Sequence, residues 1–263
     1  MSDLGFCHLH CQSEFSVENS LVRIPELIDK AVELGMSSIA LTDESNLYAA
    51  VKFYQKAVAA NIKPIFGARV NIRNEEGEFY SCLLLCQNHQ GYLNLSELIS
   101  LSYMQGQSIE GVSIDEGQLV EYQEGLILIA TPVSSDVAKH LLSNQIIEAK
   151  QKASFWQSVF ADRYYLAVQR TSREHDEQHL HLCINLALEL DIAVVATNDV
   201  QFLSADDFDA HEARICISQG GLLDDARRTR HFSNQQYLKS IDQMQDLFID
   251  LPEVLINTVE VAQ

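Results

Sequence analysis

Ser38-Ile39-Ala40-Leu41-Thr42-Asp43-Glu44 is the stretch on which the reading of the fold turns. A short, mostly apolar run ends abruptly in two carboxylates. A run of this length suits a buried strand, residues 38–42, rather than a helix. Upstream, Ile24, Leu27, Ile28, Ala31 and Val32 recur at helical spacing. Pro25 fits a first helical turn and Gly35 a helix end, so the pattern predicts a helix over 24–34. Downstream, 47–60 reads as a helix. Residues 64–72 and 79–87 read as strands joined by the turn Asn74-Glu75-Glu76-Gly77. A strand at 6–10 precedes them all.

The same alternation continues to the end. Residues 91–104 form a predicted helix, 106–117 a polar loop, and 125–130 a buried strand. Helices follow at 136–142 and 145–160, a strand at 164–169, a helix at 173–190 and a strand at 192–197. From 206 onward the pattern is mostly helical. Short apolar strands alternating with helices predict an α/β fold: a parallel sheet with both faces covered, either doubly wound or closed into a barrel. No repeat or linker interrupts residues 1–263, so one domain is expected. In such folds chemistry gathers at the carboxyl ends of the strands.

Composition narrows the function. The 263 residues carry 37 Asp and Glu against 18 Lys and Arg, a net charge of -19. That balance excludes a chain whose main task is gripping nucleic acid phosphates, and argues against docking on an anionic membrane. Six cysteines are too dilute for a disulfide scaffold and form no CxxC pair. They read as buried thiols of a reducing compartment. Met1-Ser2-Asp3-Leu4-Gly5 has no signal-peptide character, and no apolar stretch is long enough to span a bilayer. The expected location is the cytoplasm.

The polar residues at predicted strand ends are His8, His10 and Gln12; Asp43 and Glu44; Arg69; and Asn198, Asp199 and Gln201. Imidazole and carboxylate together suit a divalent metal. Capped, hydrogen-bonded strand ends fit the same residues equally well. His175, His179 and His181 have zinc-compatible spacing, but read more simply as a solvated helix face. Arg227-Arg228-Thr229-Arg230-His231 is a basic run: a solvated loop, or a contact to DNA or an acidic partner. Phe155 and Trp156 are expected in the core. No GxGxxG, Walker A or GxSxG pattern is present.

Several ordered segments carry a resemblance. They are Phe6-Cys7-His8-Leu9-His10-Cys11-Gln12-Ser13-Glu14-Phe15-Ser16, Ala40-Leu41-Thr42-Asp43-Glu44-Ser45-Asn46-Leu47, Ile62-Lys63-Pro64-Ile65-Phe66-Gly67, Val195-Ala196-Thr197-Asn198-Asp199-Val200 and Asp206-Asp207-Phe208-Asp209-Ala210-His211-Glu212. Together they resemble the PHP (polymerase and histidinol phosphatase) domains, in particular those that open the alpha subunits of bacterial DNA polymerase III. The resemblance runs from residue 6 to about 260. It implies a distorted seven-stranded (βα) barrel and an N-terminal fragment of a longer polymerase chain.

Active members of that family hold a trinuclear metal cluster on nine ligands. Carried over position by position, the resemblance puts His10 and Asp199 where the family has ligands. Gln12, Asn19, Glu44, Arg69, Ser81, Pro132 and Gln201 stand at the other seven positions, and only Glu44 among them is a good donor. Arg69 would bring a positive charge into the former metal cavity, able to pair with Asp43, Glu44 or Asp199. His211 matches a family motif outside the metal positions and is expected to pack through a hydrogen bond.

The implied function is a non-catalytic structural and protein-interaction domain without a cofactor of its own. Its partners would be the rest of the polymerase alpha chain and the proofreading exonuclease subunit, with DNA reached only through the whole polymerase and no membrane. Magnesium is expected for the parent polymerase, outside these residues. The alternative is a residually active metal-dependent phosphoesterase, with a weak metal at His10, Glu44 and Asp199.

Overall fold

The computed structural model describes residues 5–74, 76–109, 111–223, 227 and 230–263. In chain order the elements are α1 (Ile24–Glu33), β1 (Ser38–Glu44), α2 (Ala50–Ala59), β2 (Lys63–Arg73), β3 (Phe79–Cys86), α3 (His89–Met104), β4 (Gln107–Ser108), β5 (Gly111–Val112), β6 (Ile114–Asp115), α4 (Glu116–Glu121), β7 (Leu126–Ala130), α5 (Asp136–Leu142), α6 (Ile146–Phe160), β8 (Tyr164–Gln169), α7 (Asp176–Leu190), β9 (Val194–Thr197), α8 (Phe208–Gln219), α9 (Ile241–Leu247) and α10 (Glu253–Val261). The main sheet runs β1-β2-β3-β7-β8-β9, with β6 added beside β2.

The α/β class and the curled, distorted-barrel sheet agree with the sequence reading, with corrections in detail. The sheet is mixed rather than parallel. β3 pairs antiparallel with both β2 and β7, because the turn after β2 reverses the chain before any helix intervenes. Residues 6–10 are not a regular strand. Instead, the 8–12 backbone threads between two edges. His8 and Cys11 carbonyls accept from the Ala40 and Thr42 amides, at 2.9 and 2.8 Å. On the other side the Val200 amide donates to His10 O and the Gln12 amide to Val200 O, both at 3.0 Å. This segment joins β1 to the end of β9. The 106–117 loop carries β4, β5 and β6 and leads directly into α4, none of which its polar composition foretold.

Both faces of the sheet are buried, which is why the strands read as continuous apolar runs. Leu83, Leu85, Ile127, Ile129, Ala167 and Val195 fill the inside of the curl with Leu9 and Ala40. Leu84, Leu128 and Val168 face outward under the helices, beside Leu95, Trp156 and Leu180. Trp156 is buried, its indole N–H donating to Asp136 Oδ2 at 2.8 Å. Phe155, expected beside it in the core, is 40% exposed, because consecutive helical residues cannot share one face. The chain after 206 is less helical than expected, with residues 230–240 forming turns and extended backbone between α8 and α9. All six cysteines are free, and all but Cys86 are fully buried. Among the described residues no helix is long and apolar enough to cross a membrane.

Two features make testable demands. A Cβ on Gly67 would lie 2.5 Å from Leu84 O and 2.6 Å from Leu85 Cδ2, where β2 is wedged between β1 and β3. Gly67→Ala should cost about 1–3 kcal/mol in urea unfolding. Burial pushes the imidazoles of His8 and His179 down to about 4. Both stay neutral in the fold while the unfolded chain protonates them near 6.5. His10, likewise lowered to about 4 by burial, adds a third, so stability should fall as pH drops from about 6.5 towards 4, with a limiting slope of about 4 kcal/mol per pH unit for three protons. The raised carboxyls of Asp43 and Asp136 act in the opposite sense and reduce it. A denaturation midpoint that is level between pH 7 and 5 would remove this account.

Candidate functional site

The strand ends converge on a cavity of about 500 Å³. Six of the nine sequence-derived positions line it: His10, Asn19, Arg69, Pro132, Asp199 and Gln201. Gln12, Glu44 and Ser81 stand outside its lining, with Gln12 and Ser81 fully buried.

Asp199 is the centre of the floor. It follows β9 in the left-handed region, φ 45°, a conformation that Asp tolerates better than most residues. Its carboxylate accepts from Gln201 Nε2 at 2.7 Å and from Gln236 Nε2 at 2.8 Å. His10 Nε2 lies 3.3 Å away and Arg173 Nη2 3.7 Å away. Burial works to raise this carboxyl, but His10, Arg173 and Arg69 outweigh it and hold it below the usual carboxylate range. His10 is pushed the other way, down to about 4, by burial and by the two arginines, against the pull of Asp199. It is neutral at pH 7, so the arginines supply the countercharge. Among the described residues, neither His10 ring nitrogen has a hydrogen-bond partner, nor does either amide atom of Gln12.

Arg69 takes a different partner from Arg173. Its Nη1 donates to Glu44 Oε2 at 3.1 Å, while Nε and Nη2 reach Ser81 Oγ at 3.2 and 3.1 Å. The second Glu44 oxygen accepts from Asn71 Nδ2 at 2.9 Å. Ser81 is held in turn by Ser134 at 2.7 Å. Asp43 belongs to neither arginine. Its oxygens accept from the Ser13 amide and from the Ser13 and Ser16 hydroxyls, all at 2.7 Å, fastening the 13–16 loop to β1.

Other candidates fall apart as a site. His8 turns from the cavity and bonds the Lys239 carbonyl at 2.9 Å. His179 is buried while His175 and His181 are exposed, so they share no face. The expected solvated helix face holds for two of the three. His211 is buried, its Nε2 bonding Asn19 O at 2.6 Å. Of the basic run, Arg228 and Thr229 lie outside the described residues. Arg230 and His231 line the cavity, with Arg230 3.9 Å from Glu212. Among the described residues, no three His, Cys, Asp or Glu side chains stand close enough to hold a metal ion.

The sequence reading missed Arg173 and Gln236. Arg173 follows β8, so the strand-end rule, applied to that strand, would have found it. Gln236 lies in irregular chain and carried no signal.

The chain matches the PHP domain family over residues 8–171, and it belongs to that family. Among curated proteins it is 44% identical over 262 residues to the DNA polymerase III subunit alpha of Pseudomonas aeruginosa, covering 99% of this chain and 22% of that one. It is 42% identical over 265 residues to the DNA polymerase III subunit alpha of Escherichia coli K12, covering 100% of this chain and 23% of that one. The chain thus spans less than a quarter of the length of these relatives. A solved amidohydrolase from Chromobacterium violaceum, with bound sulfate and no metal, is 13% identical at a TM-score of 0.47, covering 79% of this chain and 96% of that one.

Arg69→Ala should lower unfolding stability by about 2 kcal/mol, because Glu44 and Ser81 lose their shared partner in a half-buried setting. Arg69→Lys should fall between, keeping charge but not the fork. An unchanged urea midpoint in Arg69→Ala would show that the network contributes nothing.

Proposed function

We propose that this chain is the PHP domain of a replicative DNA polymerase III alpha subunit, and that it serves as a structural and protein-interaction domain rather than as a catalyst. The observation that carries the reading is the pair of guanidinium groups at the cavity. A cluster of divalent cations needs anionic or imidazole donors around it. Here Asp199 is surrounded by two glutamines, His10 and Arg173, and Glu44 is taken up by Arg69 and Asn71. Fixed positive side chains stand beside the carboxylates that a metal would need. The donor set therefore does not fit the family's trinuclear cluster, and Gln12, Asn19, Ser81, Pro132 and Gln201 add no charged donor. A single metal at His10, Glu44 and Asp199 is disfavoured for the same reason, since Glu44 would have to leave Arg69.

On this reading the domain supports the polymerase chain and docks the separate proofreading exonuclease subunit, where proofreading chemistry would reside. Nucleotide addition, with its magnesium, belongs to the parent chain beyond these residues, and DNA is met only through that chain. The buried free thiols fit work in the cytoplasm.

Metal analysis of the protein purified without chelator should find less than stoichiometric zinc, manganese or iron. Assays with added manganese or zinc should find no phosphoester hydrolysis that Asp199→Ala abolishes. Tightly bound stoichiometric metal together with Asp199-dependent turnover would establish the phosphoesterase reading instead. Calorimetric titration with the proofreading exonuclease subunit should show one-to-one binding, and its absence would end the docking role.

A further inference from the structure

Helix α2 has two apolar sides. Phe53 and Ala57 face the core, as a surface helix requires. Val51, Tyr54 and Val58 recur on the opposite side and are exposed, Val51 by 70%. Tyr48, in the turn before the helix, is exposed by 71% and extends the stripe. Tyr103, at the end of α3, is itself 39% exposed. A surface helix normally places charged residues there, and contiguous exposed apolar surface marks an interaction site more often than scattered residues do.

The charge around this stripe is reversed relative to the chain. Residues 45–74 contain five of the 18 Lys and Arg and none of the 37 Asp and Glu; Arg69 faces the cavity and Arg73 pairs with Asp115, which leaves Lys52, Lys56 and Lys63. Lys52, Lys56 and Lys63 are exposed. Lys52 meets Glu14 from the neighbouring loop at 3.2 Å, and Lys63 meets the Gln263 carbonyl. An apolar, aromatic and basic face on a protein of net charge -19 is complementary to a segment bearing apolar anchors flanked by carboxylates.

We infer that the outer face of α2, from Tyr48 to Val58, docks an acidic, apolar segment of a partner protein. The surface deepens the docking role proposed above and rests on it. Tyrosine and lysine could also serve single-stranded DNA, but aliphatic Val51 and Val58 and the prior engagement of Lys52 by Glu14 favour a polypeptide.

The test uses the whole 263-residue chain and three labelled probes: an amphipathic Leu/Glu peptide, its Leu/Lys counterpart and an oligo-dT strand. The Leu/Glu peptide should bind best. Lys56→Glu and Tyr54→Ser should each weaken it by about tenfold. Both positions are exposed, so melting temperatures should not move. No binding by the Leu/Glu peptide, equal binding by the variants, or tighter binding of oligo-dT or the Leu/Lys peptide would each overturn the inference. The same variants are then titrated with the exonuclease subunit. A matching loss assigns its docking to α2. Binding that the variants leave unchanged removes α2 as the docking face but leaves the docking role standing, and no binding by the unaltered chain removes the role itself.

Discussion

One buried carboxylate sets the terms for the cavity end of this fold. Taking an ionised Asp out of water costs several kcal/mol unless partners replace the lost hydration. Asp199 meets that demand with groups from across the ring: Arg173 from beyond β8, Gln201 from its own loop and Gln236 from the irregular chain before α9, while neutral His10 of the closing segment packs 3.3 Å away. Each partner pins its backbone to the same point. Arg69, Glu44 and Ser81 do the same across β2, β1 and β3. The carboxyl end of the sheet is therefore tied together by side-chain charge and hydrogen bonds, while apolar packing alone fills its interior.

Much of the fold was legible because burial on both faces leaves strands no alternation to hide behind. The 38–42, 164–169 and 136–142 readings match β1, β8 and α5 to within two residues. The failures have physical causes. The 6–10 segment has strand composition but pairs through only a few bonds on either side, so it never forms a regular ladder. The direction of β3 depends on a hairpin connection, and periodicity is the same for parallel and antiparallel strands. Polar β4, β5 and β6 are too short to show any period. At the cavity, resemblance placed His10, Arg69 and Asp199, yet residue identity could not say that Arg69 would take Glu44 and leave Asp43 to Ser13 and Ser16. That choice is one of distance, which only the folded backbone sets.

The threading of the 8–12 segment between β1 and Val200 also bears on how the chain comes to fold. Its closure needs residues at both ends: the Cys7 amide donates to Thr258 Oγ1 at 3.0 Å, across 251 positions. At ~5–20 residues per second a ribosome takes roughly 10–50 s to supply that partner. Through that interval the Cys7 amide lacks its partner, although the apolar side chains grouped with Leu9, from Ala40 to Val195, are made earlier. Contacts of such long separation are the slow ones in folding. The closure at the first residues of the ring is therefore completed only when the segment that carries Thr258 has been made.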